Sequence, residues 1–289
     1  MAYTVEMSFD KFYEAINLDG DHREIANKRR ERVASLLSKH FEVLDTFATG
    51  SIPKFTALKD HADLDVMVVL HYGKHIKGKI PEQVLQSVRD ALAEYRSNVR
   101  KNGQAVTLYY DSWPNVDIVP VSRSVNDKGE VTHYNVPNMN TGQWIQAKPK
   151  THAREIEARA GKCGTNFRRI IKMIKWWNLI HGDYLQSYHI EVLALKVLGS
   201  DLSDTPWHAF RFFKSARELL GSRLRYGPGY ADDYLDDMDR IEVIQRFDSA
   251  IDKSRSAWSR TYDGTHDHKG AIELWRGRDL FGDKFPAYG

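Results

Sequence analysis

The chain has 289 residues, and its 42 lysines and arginines against 39 aspartates and glutamates leave a formal charge of only +3. With 42 % hydrophobic and 11 % aromatic residues it can bury a sizeable core, which excludes a disordered or highly charged tail protein. The longest uninterrupted apolar run, Val66 to Leu70, falls far short of the about twenty residues that cross a bilayer, and neither a basic leader nor an apolar h-region opens the chain. Cys163 has no second cysteine with which to form a disulfide or a cysteine zinc site, so a cytoplasmic protein held by packing alone is expected.

From Asp21 to His40, the residues Ile25, Ala26, Val33, Leu36 and Leu37 recur at helical spacing, with Asp21 able to cap the start. Two β-type runs follow, Val43 to Ala48 and Leu64 to Leu70, separated by a segment holding Gly50, Ser51 and Pro53. Pro81 opens a helix whose apolar positions are Val84, Leu85, Val88, Leu92 and Tyr95. Two more β-type runs, Ala105 to Tyr110 and Val116 to Val121, complete a small mixed lobe with a short sheet. The stretch from Ser122 to Lys150 reads as hairpin and loop crossing to a second lobe. Beyond it, helical periodicity covers Ala153–Ala160, Asn166–Ile180, Tyr188–Leu198, Trp207–Leu220 and Met238–Trp258. In the last of these, Met238, Ile241, Ile244, Phe247, Ile251 and Trp258 form one apolar stripe. The expected fold is α+β, with residues 1–150 as one lobe, the first helix bridging the two, and residues 151–289 as an α-helical lobe.

The chemistry gathers on carboxylates. Strand alternation puts Asp63 and Asp65 on one face with Leu64 and Val66 turned to the core. Two like charges side by side are unfavourable unless a proton or a cation is shared, and oxygen-only ligation suits Mg²⁺ or Mn²⁺. Asp117, flanked by apolar residues in its own β-type run, completes a three-carboxylate cluster if that strand lies beside the first. Such a cluster around two divalent ions serves in-line nucleotidyl transfer, where charge builds on both the attacking and the leaving oxygen. Gly50 lets backbone approach a phosphate closely, and Ser51 adds a hydroxyl donor. Each piece alone also has a structural reading, an outward D-x-D on a surface strand or a simple turn; the order in which they occur is what points to chemistry.

Gly50-Ser51, the eleven-residue spacer, Asp63-Leu64-Asp65 and the later Asp117 together resemble the nucleotidyltransferase signature of the DNA polymerase β superfamily. Lys172-Met173-Ile174-Lys175-Trp176-Trp177-Asn178 and Leu185-Gln186-Ser187-Tyr188-His189-Ile190-Glu191 narrow this. They resemble the helical lobe of the cGAS/DncV-like nucleotidyltransferases, the bacterial CD-NTases of CBASS anti-phage systems. Trp144 with Pro149 and the closing Leu274-Trp275, Leu280-Phe281-Gly282 and Phe285-Pro286 fit the same family.

That resemblance implies a polymerase β-like lobe packed on a helical lobe that completes the nucleotide pocket. It implies a template-independent enzyme that joins nucleoside triphosphates into a cyclic di- or trinucleotide, releases pyrophosphate, and signals to a separate effector, with an activating partner in some relatives. Asp63, Asp65 and Asp117 would be the catalytic and metal-binding residues, holding two Mg²⁺ ions, with Mn²⁺ an alternative. Gly50 and Ser51 would cradle phosphates, Lys175 would contact the donor triphosphate, Ser187 the triphosphate or base, and Tyr188 would stack on the donor base. Ser187 stands where some relatives carry an asparagine associated with pyrimidines, which points to a purine. One departure concerns the loop: many relatives carry a glycine-threonine pair a few residues after Gly-Ser, whereas here Phe55 precedes Thr56.

The bland readings set beside these are a solvated helix face for Lys172 and Lys175, and an N-capping Ser187 with Tyr188 against the core. His266 and His268 with Asp263 and Asp267 read as a solvated turn, and Lys28, Arg29, Arg30 and Arg32 as an ordinary wet helix face. No cysteine-bearing zinc insertion for DNA contact is present, so DNA is not required. The rival functions are nucleotide addition to RNA or protein, and a catalytically silent nucleotide-binding scaffold.

Overall fold

A computed structural model describes residues 2–18, 22–139, 141–199, 201–227, 229–262 and 264–289. Asp21, the expected cap, and Asp263 lie outside the described residues. No helix among the described residues is long and apolar enough to cross a membrane. The chain forms two compact units. One comprises Asp19–Phe55 and Asp60–Arg154, the other Met1–Leu18, Thr56–Lys59 and Glu155–Gly289. The division expected near residue 150 is thus drawn at 154, and the amino-terminal residues group with the carboxy-terminal unit.

The first unit is built on a seven-stranded mixed sheet. Its strands are β1 (Val43–Thr49), β2 (Leu64–Leu70), β3 (Val99–Asn102), β4 (Ala105–Leu108), β5 (Val116–Val125), β6 (Val131–Asn138) and β7 (Gln143–Ala147). The order is β1-β2-β5-β4-β3, with β6 pairing the far half of β5 and β7 pairing β6. Strands β2 and β5 run parallel, whereas β1 and β4 flank them antiparallel. Helices α2 (His22–Leu37) and α3 (Pro81–Ala93) cover the sheet, and α3 buries Val84, Leu85, Val88 and Leu92 as its spacing predicts, whereas Tyr95 lies beyond its end and is exposed. The Ser122–Lys150 stretch is therefore largely sheet: β5 runs on to Val125, and β6 and β7 form a hairpin beyond it. The alternation of β6 buries only Tyr134, Val136 and Pro137, a weak signal in sequence. Arg29 does not lie on a wet face. Its guanidinium stacks 4.0 Å from the Tyr110 ring and donates to the carbonyls of Ser112 and Pro114.

The second unit is helical, with α1 (Val5–Ile16), α4 (Pro149–Cys163, shared at its start with the first unit), α5 (Asn166–Ile180), α6 (Ser187–Val197), α7 (Thr205–Leu220), α8 (Asp237–Ser259) and α9 (His268–Trp275). A short hairpin of β8 (Arg225–Tyr226) and β9 (Gly229–Tyr230) lies between α7 and α8. Helix α1 has no counterpart in the elements expected from sequence. Its Thr4 cap accepts from Met7 N, and Val5, Phe9, Phe12 and Ile16 are all buried at three- and four-residue spacing. The apolar stripe expected on α8 is also corrected: Met238 and Ile241 are 74 % and 52 % exposed. The buried face is Val243, Phe247, Ala250, Ser254 and Ala257, whose small residues let α7 pack closely. The segment read as a solvated turn around His268 starts α9, with Asp267 accepting from Gly270 N at 2.9 Å.

Candidate active site

Sheet register brings the carboxylates to one row. Thr49 on β1 pairs with Asp65 on β2, Asp65 pairs with Asp117 on β5, and Asp117 pairs with Thr107 on β4. Directly paired residues on adjacent strands present their side chains on the same face, so four oxygen-bearing side chains cross the sheet in a line. Leu64 and Val66, on the opposite face of β2, are wholly buried, as are Val116 and Ile118 beside Asp117. The apolar neighbours thus anchor each strand while the acids face out of the core.

Within the row, Thr107 donates its hydroxyl to Asp117 Oδ1 at 2.5 Å. Burial pushes the Asp117 carboxyl above the ordinary aspartate range; the Thr107 bond opposes that rise, and the Asp63 charge adds to it. Asp63, exposed just before β2, is therefore close enough to act on Asp117 electrostatically. Among the described residues, no three acidic, histidine or cysteine side chains stand closed together as a ready metal-holding group. The convergence consists of the Asp65–Asp117 pair with Asp63 at its edge, and like-charge repulsion opposes tighter closure.

Gly50 follows β1 directly and has φ +71°, a left-handed conformation that L side chains rarely adopt. A Cβ at this position would lie 1.7 Å from Asp65 Oδ2. Backbone is thus brought against the carboxylate at a spot that only glycine can occupy, and Ser51 comes next. Further along the loop, Phe55 also has positive φ, at 59°, and its N–H donates to Ile52 O at 3.1 Å. The residue that replaces the glycine of many relatives thus still takes a conformation that suits glycine.

In the helical unit, α5 and α6 carry the remaining expected residues. Lys175 is not on a solvated face: it is 4 % exposed, and Lys172 is 3 % exposed. The Lys175 ammonium donates to Glu191 Oε1 at 2.8 Å, Thr56 Oγ1 at 3.1 Å and Thr56 O at 3.2 Å. Thr56 Oγ1 in turn donates to Glu191 Oε1 at 2.5 Å, and Glu191 is fully buried. Lys172 donates to Asn17 Oδ1. Ser187 is the first residue of α6 rather than its cap, which is Gln186, and it is exposed. Tyr188 beside it is 40 % exposed, not packed into the core, and meets Tyr226 edge-to-face with centroids 5.8 Å apart. Thr107 and Glu191 escaped the sequence reading, although each is a polar residue inside an otherwise apolar run, a pattern that marks a satisfied buried group.

The oxygen-only donor set of Asp63, Asp65 and Asp117, with a glycine turn against Asp65, fits a hard divalent cation. The Second Messenger Oligonucleotide or Dinucleotide Synthetase (SMODS) domain matches residues 3–159, more than half of the chain, and the chain belongs to this family of nucleotidyltransferases that make oligonucleotide messengers. It is 20 % identical to a probable cyclic nucleotide synthase of Bacillus cereus, with 100 % of this chain and 99 % of that protein covered. It is 22 % identical over 261 residues to the cyclic AMP-AMP-AMP synthase of an Acinetobacter species, covering 83 % of this chain and 72 % of that protein. The structure of E. coli MS115-1 CdnC with ATP matches with a TM-score of 0.78 at 20 % identity over 99 % of both chains. Vibrio cholerae DncV matches with a TM-score of 0.62 at 12 % identity, covering 84 % of this chain and 69 % of that one. The fold is that of the polymerase β-like CD-NTases.

Proposed function

We propose that this chain condenses nucleoside triphosphates into a cyclic oligonucleotide at the Asp63, Asp65 and Asp117 site, releasing pyrophosphate. The observation that carries the reading is the register pairing of Asp65 with Asp117 beneath a glycine turn that leaves no room for a Cβ. Asp63, Asp65 and Asp117 would hold Mg²⁺, or Mn²⁺ in its place, and the bound ions supply Lewis-acid stabilisation of the attacking and leaving oxygens. The backbone at Gly50 and the Ser51 hydroxyl bind phosphate oxygens. Asp117 would hold the ion nearest the attacking ribose hydroxyl or receive that hydroxyl's proton. Tyr188 offers its ring to the donor base and Ser187 its hydroxyl beside it, with a purine as the favoured base. Lys175 meets the triphosphate in competition with Glu191, which holds its ammonium in this structure. Repetition at the one site closes the ring, and a separate effector reads the product in anti-phage signalling. E. coli CdnC has been solved in a complex with a HORMA protein, and a protein activator of that general kind is part of the proposal.

The test is incubation with mixed nucleoside triphosphates and Mg²⁺, phosphatase treatment, and a mass spectrum of what survives. A phosphatase-resistant cyclic product, lost together with pyrophosphate release in D63N and D65N proteins that keep their melting temperature, is the expected result. Label transferred to added RNA or protein instead of a resistant product overturns it.

A further inference from the structure

Tyr188 stands at the start of α6 with 40 % of its surface open. An exposed aromatic ring on a helix end ordinarily samples several rotamers. This one is buttressed. Tyr226, from the β8–β9 hairpin, meets it edge-to-face at 5.8 Å between centroids and 66° between planes. Tyr226 is in turn fixed from another direction, because its hydroxyl donates to Glu155 Oε2 on α4. Three elements distant in sequence converge to hold one accessible ring, an expenditure of order that an idle surface tyrosine does not need.

The array also has a sign. Burial and then the neighbouring carboxylates of Glu155 and Glu191 push the Tyr188 hydroxyl up to about 12. Glu191 is paired with Lys175 at 2.8 Å, whereas Glu155, on the exposed side of α4, accepts from a neutral phenol. The platform therefore sits in a negative field that comes chiefly from Glu155. A base edge carrying amino hydrogens is favoured in such a field, and one carrying carbonyl oxygens is repelled.

We propose that Tyr226, held by Glu155, is a positioning residue that fixes Tyr188 as a nucleobase platform, and that Glu155 makes this platform select amino-bearing bases over uracil. The inference rests on the reading of Tyr188 as the base-contacting ring. Its experiment measures dissociation constants of the full chain for ATP and for UTP by equilibrium dialysis, alongside kcat and KM. Y226F keeps the ring and removes the tether; it weakens both nucleotides about fivefold, as the loss of one oriented aromatic contact does, with kcat little changed. E155Q keeps an acceptor for Tyr226 and removes only the charge; it leaves ATP affinity nearly unchanged and narrows the preference for ATP over UTP severalfold. Unchanged dissociation constants in Y226F, or an unchanged ATP-to-UTP ratio in E155Q, overturn the inference. Y188A separates the two levels: if it too binds both nucleotides like the parent, the platform reading itself falls, whereas weakened binding in Y188A beside parental Y226F and E155Q sinks only the positioning and selection. Should Y226F fail to fold, E155Q alone decides, since its exposed side chain changes by one atom.

Discussion

Gly50 is the residue at which backbone geometry and chemistry meet. Its left-handed φ and the 1.7 Å that would separate a Cβ from Asp65 Oδ2 mean that G50A must displace either the turn or the carboxylate. Product formation is expected to fall by at least about a hundredfold, as misplacement of a reacting group by 1 Å does, with only a small fall in melting temperature; near-parental rates in G50A would show that the Asp65 carboxylate is not used. Lys175 presents the opposite case, a residue whose stability role is plain in the structure. Truncation in K175M takes the ammonium away from the fully buried Glu191 carboxyl, so a loss of about 3–5 kcal/mol is expected in denaturant unfolding. The shared face of Asp63 and Asp65 and the turn at Gly50 were legible because strand alternation and loop composition are local, whereas the place of Asp117 beside Asp65 hung on a strand pairing that the sequence could offer only as a condition. The burial of Lys175 was not legible, since its partner Thr56 is 119 positions away in sequence and nothing in the helix pattern marks that meeting.

Among elements, β2, α3 and α5 were readable to the residue or nearly so, because long apolar runs and a proline start leave one register. Hairpin β6–β7 was readable as a hairpin but not its strand bounds, and helix α9 was not readable: short, half-exposed segments carry too few buried positions to set a period. On α8 the stripe was read correctly at Phe247, with Ile244 and Ile251 packed on the core, but not at its start, where Met238 and Ile241 stay exposed, and the alanine and serine of the packing face give no apolar signal. Helix α6 holds a pH-dependent element of the fold. Tyr234 accepts from Gln186 N and shares a 2.9 Å hydrogen bond with His189 Nδ1, and His189 Nε2 is buried with no hydrogen-bond partner among the described residues. Burial chiefly, with Arg240 adding to it against Asp232, lowers the His189 pKa to about 4. The unfolded chain takes up this proton near pH 6.5 and the folded chain only near 4, so stability is lost as pH falls across that window, by about 3 kcal/mol in total. Unfolding free energies measured from pH 7 to pH 4 should decline in the parent and lose this component in H189Q; identical slopes would remove His189 as the cause.

At the level of the whole chain, the helical unit is discontinuous. Phe9 of α1 packs against Trp275, Phe281 and Phe285 with centroids 4.9, 5.9 and 5.1 Å apart, and Phe12 meets Phe281 at 4.7 Å. F9A empties the middle of this aromatic cluster and should cost about 3–5 kcal/mol in chemical denaturation, while a cost under about 1 kcal/mol would mean that α1 contributes little to the unit. Sequence alone could recognise the aromatic ending as a family trait but could not supply the long-range closure that joins it to a helix some 260 residues earlier.

That closure sets an order of events during synthesis. Residues 22 to 154 contain every strand of the seven-stranded sheet and can acquire their tertiary structure while the ribosome is still making the rest. Helix α1 can meet α5 and α7 before Trp275, Phe281 and Phe285 are made, so part of its apolar face stays within reach of chaperones, and the second unit incomplete, until those rings have left the exit tunnel.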